Sequence, residues 1–343
     1  MKLVNVEHLY ISYLQQNKNF HNVMDSKFNS SHNGGRKYIG VCFETENFSY
    51  FIPIHKGSRE MSKQGKTYTN EHGLIKIKRS KFDVEFIEND IAGNERLTSI
   101  LKTAYMIPIP KTEIISYDVN LETDNKIKAD FIDLINWFSK PKNKEIIKNR
   151  CKALYKLKEK AILGKLEPNS QDLKNTTYWL NWKDVEQACA EWTNNKLIDK
   201  INNKEKINKY EFYNLKDNNK LYTVNSEVND GYFIATKTDP TNNQTNYILM
   251  KCENNELKNI KDITEFNNKD ISNLKEFLKE ENKGKFSVID VVDNMMESQI
   301  KPNNKFEIEF KNKDTLLAHV KITGYFTFID GIKQGSLRYT LTL

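Results

Sequence analysis

Tyr38-Ile-Gly-Val-Cys-Phe-Glu-Thr-Glu-Asn-Phe-Ser-Tyr-Phe-Ile-Pro-Ile-His-Lys-Gly-Ser-Arg-Glu60 decides how the first half of this chain folds. Two apolar runs, Lys37 to Glu44 and Phe48 to Ile54, flank a short polar turn, which is the pattern of an antiparallel hairpin. Paired strands lie about 5 Å apart, so residues entering the first strand stand beside those leaving the second. Arg36 and Lys37 enter; His55, Lys56, Ser58 and Arg59 leave. A histidine among cations at a sheet rim suits phosphodiester cleavage. Histidine exchanges protons near neutral pH, while Arg and Lys stabilise the charge on a phosphorane. A histidine at a strand end also serves as a plain hydrogen-bonding cap, and Lys56, Arg59, Lys63 and Lys66 also suit a solvated loop. On the residues alone, both readings of the rim stay open.

Outward from the hairpin, residues 3–15 read as a short strand running into an amphipathic helical turn, with Leu9, Tyr10, Tyr13 and Leu14 at helical spacing. Tyr10 and Tyr13 fit a core, or in the case of Tyr10 a surface that stacks on a base. Residues 17–35 and 56–73 read as polar loops. Strands are expected at Leu74–Lys78, Phe82–Ile87, Met106–Ile109 and Ile114–Val119, and Pro53, Pro108 and Pro110 are expected to confine their strands to edges or ends. Helices follow over Ile127–Phe138 and Lys144–Leu163, separated by Pro141. The second has a basic outer face that includes Lys148, Lys152, Lys156 and Lys160, suited to solvent or to RNA.

Gly164 to Lys174 reads as an interdomain linker, which sets domains at 1–165 and 166–343. Beyond it, a helix is expected over Trp182–Ile201 and another over Ile271–Glu280. Strands are expected at Tyr210–Leu215, Leu221–Val224, Tyr232–Thr236, Tyr247–Lys251, Lys305–Phe310, Ala318–Thr323, Tyr325–Ile329 and Arg338–Leu343. The class is therefore α+β in both halves, and the second half carries no nameable motif.

Bulk composition agrees with two domains, since 343 residues exceed an ordinary single domain. The net charge of +7 is unevenly spread: residues 1–170 hold 28 Lys and Arg against 20 Asp and Glu, and the remainder is nearly neutral. A basic half-chain favours a polyanionic partner. Cys42, Cys151, Cys189 and Cys252 are far apart and form no CxxC pair, which points to a reducing cytoplasm. No signal core and no long apolar window stand in the sequence, so a soluble cytoplasmic protein without membrane contact is expected. Five of the six histidines fall within the first 72 residues, yet their spacing suits no metal, and no cofactor is expected.

Several segments in order carry a resemblance: Tyr10-Ile-Ser-Tyr-Leu14, Lys37-Tyr-Ile-Gly-Val41, Tyr50-Phe-Ile-Pro-Ile54, Tyr105-Met-Ile-Pro-Ile-Pro110, and Asp133-Leu-Ile-Asn136 through Arg150-Cys-Lys-Ala-Leu-Tyr155. Over residues 1–165 the chain resembles the ToxN/AbiQ family of type III toxin–antitoxin systems. The resemblance implies a strongly bent antiparallel sheet, like the small barrel of MazF/Kid ribonucleases, with packed helices. It also implies a metal-independent endoribonuclease that leaves a 2′,3′-cyclic phosphate and a 5′-hydroxyl, a phage-defence role of the abortive-infection type, and inhibition by a repeated small RNA. By the same resemblance Tyr10 falls near the active groove and Arg36 on a family basic residue, with Lys37 adjacent. After the Pro-Ile strand the family has a Thr/Ser-Ser-Pro-Lys segment, where this chain reads His55-Lys-Gly-Ser-Arg59. The expected catalytic set is His55, Lys56, Ser58 and Arg36. The expected RNA contacts are Tyr10, Lys37, Arg59, Lys63, Lys66, Lys152 and Lys156. Expected partners are the antitoxin RNA, target transcripts, and a protein or second copy bound through the C-terminal domain. The alternative is a non-catalytic RNA-binding or phage-defence protein.

Overall fold

Strand β2 (Tyr38–Glu44) pairs antiparallel with β3 (Ser49–Lys56), with Tyr38 opposite Pro53 and Glu44 opposite Ser49. In this computed structural model the described residues are 1–18, 20–23, 36–56, 74–75, 84–89, 95–207, 209–238, 244–279, 287–300, 306–311, 319–324 and 338–342. The chain divides into two compact units, Met1–Trp192 and Thr193–Leu343.

The first unit is an α+β fold built outward from the hairpin into a curled antiparallel sheet. On the β2 side lie β1 (Lys2–Val6) and, beyond it, β8 (Ile114–Ser116). On the β3 side lie β7 (Ile107–Pro108) at one end and β6 (Glu95–Leu101) at the other, followed by β5 (Val84–Asn89) and β4 (Leu74–Ile75). Pro53 therefore sits in a central strand, not at an edge as its ring suggests. It falls where β3 passes from β7, paired at Tyr50 and Phe51, to β6, paired from Ile54 onward. Its missing N–H costs little at such a junction. The strand β6 was not foreseen; Glu95-Arg-Leu-Thr-Ser-Ile-Leu101 offers no apolar run of its own.

Tyr50 to Ile54 are all buried, as expected for a strand covered on both faces. One cover is α3 (Pro141–Ile162), which buries Ile147, Cys151, Leu154 and Tyr155 and packs on β2. It begins three residues earlier than read, because Pro141 occupies the first helical turn, where its missing N–H has no intrahelical role. Before it, α2 (Asn125–Ser139) starts at Asp124, whose carboxylate accepts from the N–H groups of Lys126 and Ile127 at 2.9 and 3.1 Å. The short α1 (His8–Ser12) continues as a wider turn through Asn17. The stretch read as an interdomain linker lies inside this unit and carries α4 (Gln171–Thr177), capped by Ser170; the unit then runs into α5 (Trp182–Asn202).

In the second unit five strands form an antiparallel meander: β9 (Glu211–Asn214), β10 (Lys220–Val224), β11 (Tyr232–Thr238), β12 (Thr245–Glu253) and β13 (Glu256–Asp262). Leu197 of α5 packs with Phe212, Phe233 and Ala235 on one face. On the other face Ile234 and Leu249 pack with α6 (Asn268–Lys279) and α7 (Val288–Ile300). The unforeseen β13 follows a turn in which Asn254 and Asn255 both take positive φ, 54° and 59°, the two-residue hairpin geometry that asparagine tolerates. The last strands are β14 (Phe306–Lys311), β15 (His319–Gly324) and β16 (Arg338–Thr342). The expected strand at 325–329 lies outside the described residues.

Gly40 faces Phe51 across the hairpin so closely that a Cβ there would lie 2.2 Å from the ring, and the ring is itself buried. Gly40→Ala is expected to destabilise the first unit by about 1–3 kcal/mol, the usual cost of overpacking a core. A lower thermal midpoint in calorimetry checks this; an unchanged midpoint would mean that Phe51 steps aside.

Candidate functional site

Pairing of β2 with β3 gathers the cations at one end of the sheet. The Ile54 N–H donates to the Lys37 carbonyl at 2.9 Å, and Arg36 Nη1 reaches the Ile54 carbonyl at 3.5 Å. His55, half-buried, follows directly and pairs across with Ile100 of β6, while Lys56 pairs with Ser99. Arg36, Lys37 and His55 thus share one rim. Ser58, Arg59, Lys63 and Lys66 lie outside the described residues, as does the side chain of Lys56.

Lys37 is not a loose surface charge. It is 7% exposed, and its Nζ stands 4.3 Å from the ring centroid of Tyr117, which follows β8. The Tyr117 hydroxyl donates to Glu122 Oε2 at 2.6 Å, and Glu122 Oε1 accepts from the N–H groups of Thr123 and Asp124. Burial lowers the Lys37 ammonium pKa, opposed by the Glu122 charge. Burial and Glu122 raise the Tyr117 phenol. For Glu122 burial acts upward, but the Tyr117 and backbone hydrogen bonds prevail and hold the carboxyl below its usual range. Neither Tyr117 nor Glu122 was singled out from the sequence, since no local pattern links them to Lys37.

Tyr10 does not join this rim. Its ring is fully buried, its hydroxyl donates to the Pro108 carbonyl at 2.8 Å, and it packs 5.7 Å from Trp192. No face of it is left for a base, so the reading as an RNA contact gives way to a structural one. Lys152 and Lys156 are exposed on α3 with Lys148 and Lys160, four residues apart in succession. Like charges at that spacing repel one another on an isolated helix.

Toward the turn end of β3 lies a buried polar cluster that the sequence does not disclose. Glu186 of α5, 4% exposed, accepts at Oε1 from Tyr50 of β3 at 2.7 Å and from Tyr155 of α3 at 2.9 Å. Its Oε2 meets Lys183 Nζ at 3.2 Å. The cluster joins three elements and satisfies the carboxylate from both sides, as a buried charge requires. Trp182 stacks on Tyr155 with centroids 5.7 Å apart and donates through Nε1 to the Met106 carbonyl. Among the described residues no group of three or more His, Cys, Asp or Glu is placed to hold a metal ion, and no helix is long and apolar enough to cross a membrane.

A curled antiparallel sheet flanked by helices, with a cationic rim at the hairpin, defines the class of α+β domain. The sequence model of the family described as toxin ToxN of type III toxin–antitoxin systems matches residues 2–190. The chain belongs to that family. Among solved structures it is similar to AbiQ, a lactococcal anti-phage endoribonuclease of a type III system. That likeness has 21% identity over 56% of this chain and 96% of that one, with a TM-score of 0.40. A second structure, concerned with selective toxin inhibition by a non-coding RNA pseudoknot, shares 19% identity over 56% and 96%, with a TM-score of 0.39. A third, concerned with a processed non-coding RNA that regulates a bacterial antiviral system, shares 18% over 51% and 96%, with a TM-score of 0.34. No curated protein matches the chain.

The Glu186 cluster makes a pH-dependent contribution. Burial raises the Tyr155 phenol pKa to about 12, with Lys183 acting against the rise and Glu186 adding to it, from an ordinary value of 10.0. A raised folded-state value means stability that is fully present below about pH 10 and lost as pH climbs toward about 12. Thermal midpoints measured across that window are expected to fall, and Tyr155→Phe is expected to flatten the fall. An identical alkaline slope in the variant would exclude Tyr155 as its source.

Proposed function

We propose that this toxin-family chain is a metal-independent endoribonuclease acting at the Arg36–His55 rim. The observation that carries the reading is the convergence of Arg36, Lys37 and His55 at one end of the β2–β3 pair. A general base there takes the ribose 2′-hydroxyl proton, the oxygen attacks the adjacent phosphorus, and the 5′-oxygen leaves with a proton. The products are a 2′,3′-cyclic phosphate and a 5′-hydroxyl. His55 moves protons, Arg36 and Lys56 stabilise the phosphorane, and Ser58 positions the scissile phosphate. Arg59, Lys63, Lys66, Lys152 and Lys156 hold the RNA backbone, which makes binding salt-sensitive, and the buried Lys37 adds its charge from within the fold. The first unit, Met1–Trp192, which takes in the expected 1–165 and the α4 stretch after it, carries the ribonuclease; the second, Thr193–Leu343, is accessory, binding a protein partner or a second copy. The inhibitor is a repeated small RNA that occupies the same rim, and the biological role is abortive-infection phage defence in the cytoplasm.

A second reading rests on one departure. The loop His55 to Arg59 does not reproduce the Thr/Ser-Ser-Pro-Lys segment seen after this strand in the family, so the rim would bind RNA without cutting it.

Purified protein incubated with total bacterial RNA in EDTA separates the two. The enzyme reading expects cleavage with cyclic-phosphate ends, and His55→Ala is expected to slow it by about 10²- to 10⁴-fold, the range for losing a general acid or base. RNA that stays intact yet is retarded on a gel favours the non-catalytic reading.

A further inference from the structure

The least ordinary group at the rim is Lys37, a cation taken almost wholly out of water beside a site proposed to hold phosphate. Dehydrating an ammonium is costly unless something replaces the lost water. Here an aromatic face stands 4.3 Å from Nζ, and the aromatic hydroxyl is tied to a carboxylate at 2.6 Å. The carboxylate is fixed in turn by the N–H groups of Thr123 and Asp124, and the Tyr117 ring rests 5.8 Å from Phe131 of α2. Tyr117, Glu122, Thr123 and Asp124 come from the segment between β8 and α2, and Phe131 from α2 itself, so the lysine of β2's entrance is met across β1.

We propose that Tyr117, tethered by Glu122, is the positioning residue that holds the ammonium of Lys37, the residue that shares its strand end with Arg36 and His55. This rests on the ribonuclease reading above and deepens it by naming what holds one of its cations. The ring attracts the ammonium electrostatically, an effect strongest when the cation is desolvated. A charge kept in a low-dielectric setting acts on a bound phosphate more strongly than one in water, and it is in place before RNA arrives. The hydroxyl–Glu122 bond fixes the ring plane and puts a negative charge within reach of the same ammonium. Glu122 is the charged group that acts on the Lys37 ammonium, and Asp118 acts on the Tyr117 phenol beside it; opposite Lys37 on β3 stands the neutral Ile54, and β1 pairs with the next residue, Tyr38, through the neutral Val4. Burial disfavours the Lys37 cation and Glu122 favours it. Removing the Glu122 charge therefore moves deprotonation of Lys37 to lower pH.

The test uses the full chain, a mixed-sequence oligoribonucleotide as probe, and two readouts: the ¹³Cε NMR titration of Lys37 and the pH profile of cleavage. Glu122→Gln and Tyr117→Leu are expected to shift the Lys37 titration to lower pH, and the alkaline limb of cleavage follows it. Tyr117→Leu is expected to weaken oligonucleotide binding at neutral pH by about tenfold, and Tyr117→Phe, which keeps the ring, recovers most of that loss. In a Lys37→Arg background, where the cation does not titrate in this range, Glu122→Gln no longer moves the limb. A Lys37 titration that ignores both substitutions overturns the proposal, as does a cleavage limb that fails to follow a shifted titration. Should Tyr117→Leu not fold, Glu122→Gln decides alone. A wild-type protein that leaves RNA uncut while Lys37 responds as expected sinks the ribonuclease reading and leaves the positioning of Lys37 standing.

Discussion

With Tyr38 opposite Pro53 and the Ile54 N–H bonded to the Lys37 carbonyl at 2.9 Å, β2 and β3 set the register to which every other strand of the first unit is added. On one side β1 and then β8 follow; on the other β7 and β6, then β5 and β4. A slip of one residue in this pair would turn Tyr50 and Ile52 to the face now held by Phe51 and Pro53. It would also part Arg36 from Ile54 and His55. The same pairing thus sets the core and brings the cations together.

Helices complete what the hairpin starts, and the Glu186 cluster shows how. Tyr50 from β3, Tyr155 from α3 and the Glu186 and Lys183 side chains from α5 meet around one buried carboxylate. An apolar substitute of the same shape would be energetically acceptable there, because buried ion pairs seldom add net stability. What the polar cluster adds is directionality: two short hydrogen bonds to one oxygen fix the angle at which α3 and α5 meet the strand. One of its three elements is β3, the strand whose far end carries His55.

Much of the first unit was legible because its signals are local. Two apolar runs around a polar turn marked β2 and β3, 3.6-residue spacing marked α2 and α3, and the short turn between the strands implied the rim. The misses share a cause. β6 lacks an apolar run, and β13 is announced only by Asn254-Asn255, a weaker turn signal than Asn-Gly. Pro53 misled because a missing N–H argues against a central strand, unless the strand changes partner at that residue, as it does here. Tyr10 had the helical spacing of a core residue, and burial against Pro108 and Trp192 decided in favour of the core.

The sequence by itself determined most helices and the apolar strands, the hairpin with its charged ends, the uneven charge and the family, since each is written in neighbouring residues or in the order of short segments. Tertiary structure alone decided which polar groups leave water and whom they meet. Tyr10 and Pro108 are 98 positions apart, and Tyr50 and Glu186 are 136 apart. Tyr117 reaches Lys37 only because β1 lies between β2 and β8. Burial and dielectric environment belong to such distant neighbours. That is why the histidine and the arginine of the rim could be read from the chain, and the setting of its buried lysine could not.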